Sequence, residues 1–163
     1  MTVHCVRALA AIRERKSIVE SGKWLSGKMP RAAFPLSKTH TYSLGSSWRW
    51  RVVGVVAGSR RYRVLVAYDQ SKAQYRAWLG LESGTDQALL ARLEYHPTHR
   101  GWHCHMKRGA LADVGYGVVK HPGQRERARE CQESGTLQVT DLDALAIAFR
   151  IFNVEPEAGE LFI

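Results

Sequence analysis

The chain has 163 residues and a formal net charge of +9, with 45% of its residues apolar and 24% charged. That length suits one domain with its own core and is short for two, and the composition is that of an ordinary soluble globular protein rather than a disordered polyelectrolyte. No apolar run approaches the roughly 18 residues that cross a bilayer, and the run Ala8 to Ile12 is too short for a secretory leader and meets Arg13 at once, so a cytoplasmic location without a membrane partner is expected.

From Val3 to Glu20, the residues Val3, Val6, Leu9, Ala10, Ile12 and Val19 approximate a helical stripe with Arg and Lys opposite. This predicts an amphipathic N-terminal helix within residues 1–21, ended at Ser21-Gly22. Gly22 to Lys28 superficially fits the phosphate-loop pattern G-x-x-x-x-G-K. That loop needs Ser or Thr after the Lys and a strand before it. Met29 follows here, so residues 22–47 read as a basic, Pro- and Ser-rich surface loop that carries His40.

From Trp48 the period changes to two. Trp48 to Val56, Tyr62 to Tyr68, Tyr75 to Leu81, Ala88 to His96 and Trp102 to Lys107 read as five strands of an antiparallel meander over residues 48–107, with turn residues between them. A helix over Asp86 to Leu93 is the alternative for the fourth, since Ala and Leu are good helix formers. Residues 108–139 form a connection, with a short strand at Val118-Val119 and a charged, solvated stretch from Pro122 to Gly135. Thr140-Asp141-Leu142-Asp143 resembles a capping box that opens an apolar helix over residues 140–153, which must pack on the apolar face of the sheet. The tail, residues 154–163, is acidic until Leu161-Phe162-Ile163, which suits docking on the body or on a protein partner. The expected architecture is therefore a single α+β domain: a sheet of about five strands, an N-terminal helix, and a C-terminal helix packed on one face.

The last hairpin of the meander concentrates the chemistry. Four of the seven histidines fall between His96 and His105. Successive strand residues point to opposite faces, so Arg92, Glu94 and His96 share one face, as do His103, His105 and Lys107 on the next strand. With a turn over Pro97 to Gly101, His96 is expected opposite His103 and Glu94 opposite His105, while Cys104 points to the apolar face. Two histidines in H-x-H with a third on the neighbouring strand can converge on one divalent ion, zinc or manganese, with Glu94 as fourth ligand or base. Two further readings stand beside this: histidines working metal-free as an acid/base pair for phosphodiester cleavage, and a polar hairpin face whose histidines pair with neighbours.

His103-Cys104-His105 resembles the His-hydrophobic-His signature of the HUH endonucleases, and Tyr116 with Lys120 is similar to the Tyr/Lys pair of some members. The resemblance covers only this short stretch. It implies a metal site on a sheet strand and Tyr116 as the nucleophile that attacks a DNA phosphate. Gly115 and Gly117 flank Tyr116 and disfavour the helix on which that tyrosine normally lies.

Charge is unevenly spread. Residues 1–125 carry 21 Lys and Arg against 7 Asp and Glu, whereas residues 126–163 carry 3 against 8. A basic body suggests a polyanionic partner, most often nucleic acid; a solubilising surface or an acidic protein partner is the alternative. Trp48, Trp50 and Tyr62, interleaved with Arg49, Arg51, Arg60, Arg61 and Arg63, would suit stacked bases and tracked phosphates, although alternation alone also predicts an aromatic core face and an arginine solvent face. Three widely spaced cysteines, Cys5, Cys104 and Cys131, fit a reducing compartment. The sequence thus points to a metal-dependent phosphodiesterase or nuclease in which Arg92, Arg100, Lys107 and Arg108 also meet phosphates. The alternative is a non-catalytic nucleic-acid-binding or complex-forming module.

Overall fold

Between Arg49 and Met106 successive side chains of five consecutive strands go to opposite faces of one sheet, and hairpin turns stack the strands in chain order. A computed structural model describes residues 5–34, 44–84, 86–97, 99–115, 124–126 and 138–157, without the side chains of residues 99–101 and 124–126. In it β3 (Arg49–Ala57), β4 (Arg60–Asp69), β5 (Gln74–Ser83), β6 (Asp86–His96) and β7 (His99–Met106) form an antiparallel meander. Four further strands extend it: β1 (Lys16–Glu20) and β2 (Leu25–Ser26) both pair with β3, β8 (Gln124–Glu126) pairs with β7, and β9 (Val154–Glu155) adds to β1 in parallel. The two helices are α1 (Ala8–Arg13) and α2 (Asp141–Phe152). No helix among the described residues is long and apolar enough to cross a membrane.

The expected α+β class is therefore corrected. The described residues are mostly β, a nine-stranded sheet curled into a half-barrel, with two short α-helices among them. The N-terminal stripe fails as one long helix because Ile18 and Val19 are consecutive β-branched residues that favour a strand. Ile18 packs against the core while Val19 is 48% exposed, which is a strand's alternation. Residues 22–47 are not simply a surface loop either. Gly22 turns the chain hard against β3 at φ +62°, where a Cβ would lie 2.1 Å from the Val52 carbonyl oxygen, and β2 follows. The helical alternative for Asp86 to Leu93 is not adopted, since that stretch is β6. Val118-Val119 lies outside the described residues.

Two apolar layers cover the sheet. On one face Val53, Val64, Val66, Ala77, Leu79, Leu90, Leu93 and Cys104 pack with Ala8, Ala11 and Ile12 of α1 and with Ala148 and Phe152 of α2. On the other, Trp50, Leu65, Ala67, Trp78 and Leu89 are covered by Met29, Phe34, Leu44 and Trp48. Thr140 caps α2 reciprocally with Asp143: the Asp143 N–H donates to the Thr140 hydroxyl oxygen and the Thr140 N–H donates to the Asp143 carboxylate, each at 3.2 Å. Asp141 beside it receives two Arg49 N–H bonds at 2.6 Å and the Tyr68 hydroxyl at 2.7 Å. Tyr75 donates to the Ala144 carbonyl at 2.8 Å, which seats the helix on β5.

Both helices end at one buried cation. The Lys16 ammonium, fully buried, donates to the carbonyls of Ile12 at 2.7 Å, Glu14 at 2.9 Å and Phe152 at 2.8 Å, and lies 5.2 Å from the Tyr62 ring centroid. Burial pushes it down to about 8; the attraction of Glu14 opposes this and the repulsion of Arg60 adds to it. Replacing Lys16 with Met keeps the stem but leaves three carbonyls without this donor, so urea denaturation at pH 7 should show a loss of about 3 kcal/mol. Between pH 8 and 10.5 the unfolded chain keeps a Lys16 proton that the folded one has released, so this group's contribution to stability rises with pH. The gap between wild type and Lys16→Met should therefore widen from pH 8 to 9.5.

Candidate metal centre

The hairpin β6–β7 places the predicted residues on the face opposite α1 and α2, in a register different from the one expected. Glu94 pairs with His103, Arg92 with His105, and His96 with His99 across an irregularity after Tyr95. The cause is the turn. Strand β6 ends at His96 and β7 already begins at His99, so the chain has reversed before His99 instead of over five residues to Gly101. The shift is two residues, and a two-residue shift leaves every side chain on its face. Glu94, His96, His103 and His105 consequently still share one side, while Cys104 lies in the helix-facing core.

Glu94 is the centre of the group. Its carboxylate stands 2.6 Å from His103 Nε2, 2.9 Å from the Arg92 guanidinium, 3.8 Å from His96 Nε2 and 4.0 Å from His105 Nε2. The His103 ring packs edge to face with those of His96 and His105, at centroid distances of 4.9 and 5.7 Å. Glu94 and His103 are buried, and His96 opens the group toward solvent. Burial pushes the Glu94 carboxyl up, but Arg92, His103 and His96 outweigh it and hold the group below its ordinary 4.5. One ligand atom each from Glu94, His96 and His103 lies within 4.8 Å of the others, a spacing that suits one ion after small side-chain adjustments. His105 stands just beside this trio. An ion held by His103 Nε2 would displace the hydrogen bond between His103 and Glu94.

The face around the cluster is aromatic and cationic. Arg92 lies over Trp78, with 5.0 Å from guanidinium carbon to ring centroid, and Arg76 lies over Trp48 at 5.1 Å. Arg76 is opposite Glu94 in the β5–β6 register, and Arg125 of β8 is opposite His105. The sequence singles out neither. The alternation from Tyr75 to Leu81 does put Arg76 and Trp78 on one face, but only strand pairing shows that this face continues into the histidines.

The remaining predicted residues are dispersed. Arg49 holds Asp141, Arg60 holds Glu14, Arg61 and Arg63 hold Glu82, and Arg51 donates to the Ser21 carbonyl at 2.8 Å. Trp48 and Trp50 are buried on the histidine side of the sheet, and Tyr62 on the helix side. Lys107 is half-buried and Arg108 exposed just past β7. Arg100 belongs to β7, without a described side chain. Tyr116, Lys120, His40 and Leu161 to Ile163 lie outside the described residues. Of the His-hydrophobic-His resemblance, what the structure contains is the Glu94/His96/His103 cluster with His105 beside it. No family model, curated protein or solved structure matches the chain.

Glu94→Gln would leave Arg92 beside a neutral amide in a mostly buried position, and chemical denaturation at pH 7 should show a loss of about 3 kcal/mol. Because the folded carboxyl titrates below 4.5, its contribution is complete above that pH and fades as pH falls through the folded value. The gap between wild type and Glu94→Gln should shrink accordingly in acid.

Proposed function

We propose that the chain is a metal-dependent phosphodiesterase acting on nucleic acid, with Glu94, His96 and His103 as the residues that hold a divalent ion. The observation that carries this reading is the convergence of those three donors on one sheet face, together with two arginines stacked on tryptophans on the same face. Two imidazoles and a carboxylate suit zinc with positions left open, and manganese by virtue of the oxygen ligand. Such an ion would supply Lewis-acid polarisation of a phosphoryl oxygen and a hydroxide near neutral pH. His105 stands beside the donors, where it can accept or deliver a proton, and Arg92 orients the Glu94 carboxylate. The basic excess of residues 1–125 supports a polyanionic substrate.

A second reading, a non-catalytic nucleic-acid-binding module whose metal stabilises the fold only, is favoured by a different observation. Glu94 and His103 are buried, and six of the arginines with a sequence-based phosphate role are engaged within the chain. Elemental analysis of untagged protein decides the common ground: wild type should carry near-stoichiometric zinc or manganese, and His96→Ala/His103→Ala should carry none. Labelled single-stranded DNA and RNA then separate the readings. The enzyme cleaves one of them and stops on chelation, whereas the module binds them unchanged with no cleavage. Wild-type protein that neither contains nor takes up a divalent ion would sink both metal readings.

A further inference from the structure

Among the described residues Arg76 is a half-buried sheet cation that forms no ion pair within the fold. It lies directly opposite Glu94 in the β5–β6 register, so the two Cβ atoms are about 4.5 to 5.5 Å apart on the same face. A guanidinium that close to a largely buried carboxylate ordinarily pairs with it. Glu94 instead takes Arg92 from its own strand and His103 from β7, while Arg76 turns to the indole of Trp48, itself 5% exposed. Among the described residues Arg76 has no carboxylate partner, whereas Arg49, Arg60, Arg61, Arg63 and Arg92 each have one. Stacking uses the π face of a guanidinium and leaves its N–H edge for hydrogen bonds. The result is a half-buried, orientated donor fork next to the Glu94/His96/His103 donors, on the side away from β7.

From this geometry we propose that Arg76 binds the anionic group of the substrate and that this group is a phosphate, held between the Arg76 fork and the ion-holding cluster. The planar fork matches two oxygens of a phosphate, and a carboxylate shares the same chemistry. Trp48 has a positioning role, since its ring keeps the guanidinium off Glu94. The proposal rests on the reading of the cluster as a phosphodiesterase centre, and its test separates the two.

Inorganic phosphate, and acetate as the carboxylate control, are titrated calorimetrically into wild type, Arg76→Gln and Arg76→Lys, each with and without added zinc or manganese, and metal content is measured on the same samples. Phosphate should bind wild type and weaken by about tenfold or more in Arg76→Gln, the loss expected for one charged hydrogen-bond donor. Arg76→Lys should recover part of that loss, because it keeps the charge but not the fork, and metal content should be the same in all three. Phosphate affinity unchanged by Arg76→Gln, or no phosphate binding to wild type, overturns the proposal while leaving the metal centre in place. Acetate binding as tightly as phosphate through Arg76 overturns the substrate class. Arg76-dependent phosphate binding in a protein that takes up no metal upholds the anion site and overturns the metal-dependent reading instead. Should Arg76→Gln fail to fold, Trp48→Phe serves as the second variant: weaker phosphate binding supports the proposal and unchanged binding overturns it.

Discussion

An ammonium removed from water must be surrounded by acceptors, and Lys16 achieves this with the carbonyl ends of two helices. The C-terminal end of a helix carries partial negative charge, so one cation attracts both. Six-residue α1 is far too short to persist alone. It exists because Ile12 and Glu14 close on Lys16 and because Ala8, Ala11 and Ile12 pack into the helix-side core. The same residue opens β1, so the ammonium sets where helix gives way to strand. It also brings the start of β1 to the end of α2, where β9 joins it in parallel. Asn153 reinforces the junction: its side-chain amide donates to the Arg13 carbonyl at 2.8 Å.

Elsewhere the few carboxylates act as anchors for a larger number of arginines. Arg60 and Tyr62 meet Glu14, so β4 is tied to the segment that leads into β1. Arg61 and Arg63 share Glu82 across the β4–β5 pair, and Arg49 with Tyr68 holds the first turn of α2. The positive excess in the sequence is thus partly an internal framework of cross-strand and helix-to-sheet ties. Exposed pairs of this kind contribute little, but Arg49 with Asp141 is bidentate and shared with a tyrosine, which favours a fixed geometry. An electrostatic footprint for a polyanion has to be sought among cations outside that framework, and among the described residues of the sheet Arg76, beside Trp48, is one of these.

How much of this was legible in the sequence follows from what each element depends on. Strands β3 to β7 are visible through their β-branched and aromatic residues and the turn residues between them, and the reciprocal cap of α2 is written in Thr140 and Asp143. The sheet's outer strands are not: β2 and β9 have two residues each and β8 three, too few to show a period. Strand β1 hides in a stretch whose apolar spacing is close to helical until Ile18 and Val19 are read as neighbours. The facing of the histidines is legible by parity alone. Their partners are not, because register depends on how many residues the turn takes. Arg49 and its neighbours are legible as cations but not as cations already engaged, since their carboxylates lie far away in sequence.

The two-residue difference between the expected and observed hairpin registers also bears on how this segment can change in length. Side chains alternate strictly, so the chemistry-bearing face tolerates length changes only in even steps. One residue inserted or deleted within a paired stretch of β7, beside Tyr95 and Trp102, would send His103 and His105 into the space filled by Cys104 and Met106, and would carry those two outward. The tip of the hairpin between His96 and His99 can absorb an odd change only by forming a bulge, and the irregularity already present after Tyr95 marks where the hairpin has room for one. Length variation in this protein is therefore channelled to the tip of the hairpin, while the rungs that hold Glu94 against His103 are constrained to stay in step.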